Sequence, residues 1–238
     1  MIRNLAHHRF ALLALQIVLI SLPLVQATAQ NNSVNPGIND KFLSETLEIA
    51  EWRKRFEGES RQIYTHRKEI VAALKLRDKQ RVADIGAGTG LFSELFARAV
   101  GHNGLVWALE ISPKFIEHMQ DRFSQADLDQ IEVVENTERS TGLAESSIDL
   151  AFLCDVYHHF EYPEDMLRNL AYVLRWGGSL VIIDFERIPG ETSNFIMNHV
   201  RAGKDVFRKE IEAAGFSFKE EIKIKGLTDN YILRFVRR

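Results

Sequence analysis

Residues 82–90 read Val-Ala-Asp-Ile-Gly-Ala-Gly-Thr-Gly, a short apolar run that closes on Asp84 and then alternates three glycines, Gly86, Gly88 and Gly90. Behind them Leu91, Phe92, Leu95, Phe96, Ala99 and Val100 recur at about 3.6 residues, so the stretch predicts strand, tight loop and amphipathic helix in direct succession. Glycines there can take positive φ and, without a Cβ, let the backbone approach a bound group closely. The helix start offers unpaired N–H groups on the same side. The combination predicts a nucleoside-binding corner.

What the loop lacks narrows the ligand. A phosphate-cradling P-loop ends in Gly-Lys-Ser/Thr, whereas this one continues Gly90, Leu91, Phe92, which excludes an ordinary P-loop nucleotidase. A dinucleotide fingerprint places its third glycine where Leu91 stands, so NAD and FAD are disfavoured. Asp84, two residues before the first glycine, suits an amine-bearing or cationic ligand better than a pyrophosphate.

The 238 residues, 45% apolar and 26% charged, suffice for one α/β domain with a full core. Residues 1–29 stand apart. Arg3 and Arg9 precede a largely apolar run, Ala11 to Val25, and then the small-x-small pattern Ala27-Thr28-Ala29. This predicts a secretory signal peptide cleaved after Ala29, with an uncleaved membrane anchor over residues 11–25 as the alternative, and hence an exported, periplasmic or extracellular protein. Only through that segment would the chain meet a membrane. Its removal takes away two arginines and no acid, moving the net charge from −3 to −5, and nothing points to a nucleic-acid partner. With Cys154 as the single cysteine no disulfide framework can form. Residues 30–40, rich in Asn with Pro36 and Gly37, read as a linker or extended arm, and residues 41–75 as helices that lead into the sheet and cover the site of a domain over 76–238.

Within that domain strands and helices alternate. Strands are expected at Arg81–Ile85, Leu105–Leu109, Ile131–Val134, Ile148–Leu153 and Ser179–Phe185, and helices from Leu91, over Pro113–Phe123, over Pro163–Leu174 and over Lys204–Ala214. This is the pattern of a parallel sheet built from βαβ units. The last two strands, Phe218–Ile224 and Tyr231–Val236, form an antiparallel hairpin. Ligands of such sheets bind beyond the carboxyl ends of the strands.

Three strand ends carry polar groups. Glu110, followed by Ile111, lies 24 residues after Gly86, about where a nucleotide-binding unit places an acid to accept ribose hydroxyls. The third strand runs into Asn136, Thr137 and Glu138, polar enough for an adenine edge but also compatible with a solvated loop. The fourth ends in Cys154-Asp155-Val156-Tyr157-His158-His159-Phe160. Cys154 itself closes an apolar strand and reads as core.

Taken together, Asp84-x-Gly86-x-Gly88-x-Gly90, the acid after the second strand and Asp155-x-x-His158-His159 after the fourth make residues 60–238 resemble class I S-adenosylmethionine-dependent methyltransferases. Leu174-Arg175-Trp176-Gly177-Gly178 is similar to that family's Leu-x-Pro-Gly-Gly turn, with Trp176 in place of the proline. The resemblance implies a Rossmann-like three-layer sandwich whose seven-stranded, mostly parallel sheet has the order 3-2-1-4-5-7-6 with the last strand antiparallel. It also implies that S-adenosylmethionine is the cofactor. Asp84, Gly86, Ala87, Gly88 and Gly90 would hold its methionyl end and Glu110, with Ile111, its ribose, with Glu138 and Asp155 lining the rest. The family's spacing around the adenine acid is not kept at Glu138.

The chemistry implied is in-line displacement at carbon, for which positioning and exclusion of water supply much of the catalysis. Asp155, His158 and His159 are the candidates for the catalytic side, with packing or helix-start roles an equal reading for each histidine. The acceptor is expected to be a small molecule with an apolar body and a polar group, met by Arg61 and Tyr64 before the sheet and His199 and Arg201 after the fifth strand. Quinone-methylating members of the family are compatible with this chain, whereas one cysteine speaks against the arsenite-methylating branch. Asp155, His158, His159 and His199 are residue types that can bind zinc or non-haem iron, but His158 and His159 are adjacent, no cysteine but Cys154 lies nearby and no ligand spacing recurs, so no metal site is expected. Two other readings stay open: a nicotinamide-dependent oxidoreductase, and a non-catalytic nucleoside-binding protein of the same fold.

Overall fold

A computed structural model describes residues 32–238, so the expected signal or anchor segment lies outside the described residues. Among the described residues no helix is long and apolar enough to cross a membrane.

Seven strands form one sheet: β1 (Arg81–Ile85), β2 (Leu105–Glu110), β3 (Ile131–Glu135), β4 (Ile148–Cys154), β5 (Leu174–Phe185), β6 (Phe216–Ile222) and β7 (Asn230–Arg237). Their order is β3-β2-β1-β4-β5-β7-β6, as the resemblance implied. β1 pairs in parallel with both β2 and β4, Val82 lying opposite Val106 on one side and Leu150 on the other. β7 runs antiparallel to both β5 and β6.

Helices cover both faces. α1 (Asp40–Leu43), α2 (Ile49–Phe56), α3 (Gln62–Thr65) and α4 (Arg67–Leu74) precede the sheet, and α5 (Leu91–Val100) and α6 (Pro113–Gln125) follow β1 and β2. α7 (Pro163–Val173), α8 (Asn194–His199) and α9 (Lys204–Ala213) complete the chain. Ile70, Leu74, Phe92, Phe96, Val100, Met119 and Phe123 pack on one face with Val82 and Phe152. Met166, Leu170, Val173, Phe207 and Ile211 pack on the other with Ala83, Ile85 and Leu153. Residues 82–85 are buried throughout because alternate side chains enter two cores, which is why the strand reads as a continuous run. The two interior helices opened by proline start where the missing N–H costs nothing, and α7 adds Glu164 and Asp165 to its positive end.

Three expectations need adjustment. Of the two readings of residues 33–39, the packed arm replaces the free linker: Val34 N donates to Glu161 O, Gly37 N donates to the Glu161 carboxylate at 3.0 Å, and Asn39 is buried. The strand expected from Ser179 starts at Leu174, which pairs with Ile148 before the register shifts, leaving Trp176 exposed. A 3-10 turn over Tyr157–His159 and helix α8 had no periodic signal, being too short to show one.

Gly90 shows what the fold asks of the loop. It caps α5 at φ +80°, and a Cβ there would lie 2.5 Å from Phe123 Cζ and 3.1 Å from Met119 Cγ of α6. Gly90→Ala should therefore lower the unfolding free energy by about 2–4 kcal/mol, left-handed strain and overpacking together. Urea denaturation checks this, and trimming the obstacle with Phe123→Leu should restore part of the loss.

Candidate active site

The glycine loop leaves β1 with Gly86 at φ +65° and Gly88 at φ +56°. A Cβ on Gly86 would stand 2.7 Å from Val156, so the loop and the turn after β4 touch directly. Ala87 N donates to Leu109 O, extending the β1–β2 pairing by one residue. Glu110, buried at the end of β2, accepts from Gly88 N at 2.9 Å through Oε2, and from Ile111 N and Ser112 N at 2.9 and 3.0 Å through Oε1. Burial raises its carboxyl pKa and the three N–H groups oppose that rise. Oε2 keeps a lone pair for a hydroxyl ligand.

Asp84 is buried beneath the loop and accepts from Ser93 Oγ of α5 at 2.6 Å. Burial pushes its carboxyl up to about 7, Ser93 pulling the other way and Glu110 adding repulsion. Arg122, reaching from α6, donates to Thr89 O in the loop and pairs with Glu57 at 2.6 Å and Glu94 at 3.0 Å. One guanidinium thereby ties α2, the loop, α5 and α6.

Asp155 follows β4 at φ +55°, a conformation its residue type adopts at some cost. Its Oδ2 meets Arg61 at 2.5 Å and its Oδ1 accepts from Asn230 Nδ2 at 2.6 Å. Burial raises its pKa, which Arg61 counters. With each oxygen engaged, Asp155 anchors α3's leading residue and the β7 start to the site rather than standing free as a base.

His158 and His159 lie side by side on the 3-10 turn, ring centroids 4.3 Å apart. His158 Nδ1 is 2.8 Å from Asp184 Oδ1, and Asp184 also accepts from His158 N and Phe185 N. His159 is pushed down to about 2 by burial first and by its histidine neighbours and Lys41 after that, which makes it a weak base at neutral pH. His199, at the end of α8, is lowered to about 4 for the same reasons, and its ring is 5.1 Å from those of both other histidines.

These groups line one cavity of about 440 Å³, inside the range of small-molecule sites. Its lining includes Asp84, Gly86, Gly88, Glu110, Ile111, Glu138, Asp155, Arg61, His158, His159 and His199. Tyr64 and Arg201 are absent from it. Tyr64 instead lies under the Arg67 guanidinium, 3.9 Å from its ring centroid. Arg201 pairs doubly with Glu210 at 2.7 and 2.6 Å and covers Phe207, so it holds α9 rather than a substrate. Ala87 and Gly90 are also outside the lining; they shape the loop through backbone pairing and helix packing.

Trp52 and Phe56, on the helices expected to cover the site, do line the cavity, and Phe42 and Phe115 join them in an aromatic wall that sequence reasoning missed. Phe42–Trp52 (4.9 Å), Trp52–Phe56 (5.2 Å) and Phe56–Phe115 (6.1 Å) run in contact across the cavity, and Phe56 lies over Gly88. Asp184 was also missed; its signal was an acid at the end of the apolar run Leu180–Ile183.

Residues 83–182 match the family model for a methyltransferase domain. Among curated proteins the chain is 31% identical over 121 residues to a 27-O-demethylrifamycin SV methyltransferase of Amycolatopsis mediterranei (strain S699), covering 50% of this chain and 44% of that protein. It is 25% identical over 126 residues to a demethylmenaquinone methyltransferase of Listeria monocytogenes serotype 4a (strain HCC23), covering 52% and 53%. The chain thus spans about half the length of these relatives. The crystal structure of an S-adenosylmethionine-dependent methyltransferase from Aquifex aeolicus superposes with a TM-score of 0.71 at 18% identity, over 80% of this chain and 99% of that one. Strand order and the glycine loop with its buried Glu110 thus give this chain the fold of the class I S-adenosylmethionine-dependent methyltransferases, with a methyltransferase domain matched over residues 83–182.

Proposed function

We propose that this protein transfers a methyl group from S-adenosylmethionine to a small aromatic or quinonoid molecule bearing a polar oxygen. The observation that carries this reading is the continuity of the cavity, which runs from the glycine loop and Glu110 to the aromatic wall and the three histidines. One end offers what a nucleoside with a cationic amino-acid arm requires, the other a flat apolar surface edged by imidazoles. The names of the two curated relatives denote a quinone and an O-demethylated rifamycin, which supports the acceptor class.

The residues present fit the cofactor. The backbone of Gly88 is open where a side chain would meet Phe56, Glu110 has an acceptor lone pair directed from a fixed carboxylate, and Asp84 supplies buried negative charge near the loop. Bound there, S-adenosylmethionine supplies an electrophilic methyl on a sulfonium. The protein's part is to hold the acceptor in line, to exclude water with Phe42, Trp52 and Phe56, and to set the acceptor's polar atom at the imidazole end of the cavity.

Labelled-methyl transfer from S-adenosylmethionine to hydroxylated arenes and quinols tests the reading, with NADPH binding as the contrary observation. Trp52→Ala should raise the acceptor KM about tenfold, the worth of a lost aromatic contact, while affinity for S-adenosylhomocysteine stays within threefold. Transfer indifferent to Trp52, or none to any such acceptor, contradicts the assigned acceptor face.

Asp84 sets the pH dependence of cofactor binding. At about 7 it is half protonated near neutral pH, and a cationic ligand favours its ionised form. Affinity should therefore rise about tenfold per pH unit below 7, level off above it, and be accompanied by proton release, which calorimetry in buffers of different ionisation enthalpy reads directly. The same shift acts oppositely on folding. Since the value lies above the ordinary 3.8, Asp84 favours the folded state at low pH and loses that contribution as pH rises through about 7. Asp84→Asn should flatten the binding profile while leaving the protein at least as heat-stable at pH 8; a wild-type affinity constant between about pH 5.5 and 8 contradicts the assignment.

A further inference from the structure

The three imidazoles at the acceptor end meet more closely than packing requires. One ring nitrogen from each of His158, His159 and His199 lies within 4.8 Å of those of the other two. Two come from consecutive residues of the turn after β4 and the third from the helix after β5, so it is the topology and not a recurring spacing that brings them together.

Their surroundings are those of a ligand set. Asp184, fully buried and fixed by two backbone N–H groups, orients the His158 ring through Nδ1 and leaves Nε2 as an outward lone pair, the carboxylate–histidine arrangement that supports metal-binding imidazoles. His159 Nδ1 is buried with no hydrogen-bond partner. Phe42 stands edge-on to His159, Phe185 to His158, and Phe195 stacks on His199 at 5.3 Å, so the nitrogens converge inside an aromatic collar. Lys41, the cation on this side, rests against the faces of Phe42 and Trp52.

We propose that His158, His159 and His199 bind one divalent transition ion, with zinc the best match to three imidazoles, and that its open position faces the cavity and takes the acceptor's oxygen. Metal–nitrogen bonds of about 2.0–2.1 Å place tetrahedral ligands about 3.3 Å apart, so the rings close by at most about 1.5 Å on binding. α8 can supply that movement, since none of its six residues is buried. The ion site stands on its own geometry; its role toward the acceptor rests on the methyl-transfer reading. In that role an acceptor hydroxyl on the ion loses its proton to solvent. Its oxygen then forms the bond to the methyl as the carbon–sulfur bond breaks, leaving the electron pair on sulfur.

The test uses the chain free of tag histidines and stripped with a chelator, then titrated with Co²⁺ and Zn²⁺. The proposal predicts one ion per chain, a visible Co²⁺ spectrum of low-symmetry coordination, and displacement of Co²⁺ by Zn²⁺. His199→Ala and His159→Ala should each weaken binding at least about 100-fold, with circular dichroism and S-adenosylhomocysteine affinity unchanged in His199→Ala. Absence of binding by the wild type, or binding by the two variants as tight as the wild type's, overturns the site. S-adenosylhomocysteine calorimetry on the same samples separates that failure from failure of the methyltransferase reading.

Discussion

The buried carboxylate of Glu110 is the constraint on which the site depends. It is the last residue of β2, yet it accepts the Gly88 N–H from the loop after β1, as well as the two N–H groups that turn the chain into α6. A buried carboxylate costs several kcal/mol unless hydrogen bonds replace its water, and here the backbone supplies them. In doing so it fixes the glycine loop against the neighbouring strand end. The loop's position in turn sets where Phe56 rests, where Val156 meets Gly86 and how the turn carrying His158 and His159 faces the cavity.

Four acids collect at the carboxyl ends of the central strands: Asp84, Glu110, Asp155 and Asp184, all buried or nearly so. They are balanced unequally. Asp155 has Arg61 and Asp184 has His158, whereas Asp84 and Glu110 are met by the Ser93 hydroxyl and backbone N–H groups. Around the glycine loop this leaves negative charge with no cationic partner among the described residues. A phosphate would be repelled there, while a ligand carrying ammonium and sulfonium charges with a ribose diol completes the balance. The acids thus explain in charge terms why a glycine-rich loop of general nucleotide-binding form serves this cofactor.

Much of this was legible along the chain because it is local. Strand, loop and helix around Asp84 to Val100 declare themselves through two periodicities and three glycines, and Glu110 through its distance from them. Arg61 and Asp155, chosen separately as polar residues flanking the sheet, turn out to be partners of one another, which a single sequence cannot tell. Arg201 and Tyr64 misled for the same reason, since a charge near a strand end reads alike whether it meets a ligand or, as here, Glu210 and Arg67. The residues read as a linker contribute Asn39 to the cavity rim, because a polar, Asn-rich stretch can satisfy its backbone against Glu161 as well as against water. His158, His159 and His199 stand out along the chain as possible ligands, but their spacing argues against a site, and only the topology, with His199 arriving after β5, brings the three rings together.

Whether Glu110 ties the glycine loop to the ribose of a bound cofactor is tested by equilibrium titration of S-adenosylhomocysteine and its 2′,3′-dideoxy analogue against the wild type. A hydrogen bond from one ribose hydroxyl to the remaining lone pair of the buried carboxylate should make the analogue bind at least about tenfold more weakly. Equal affinity for the two compounds would contradict the account.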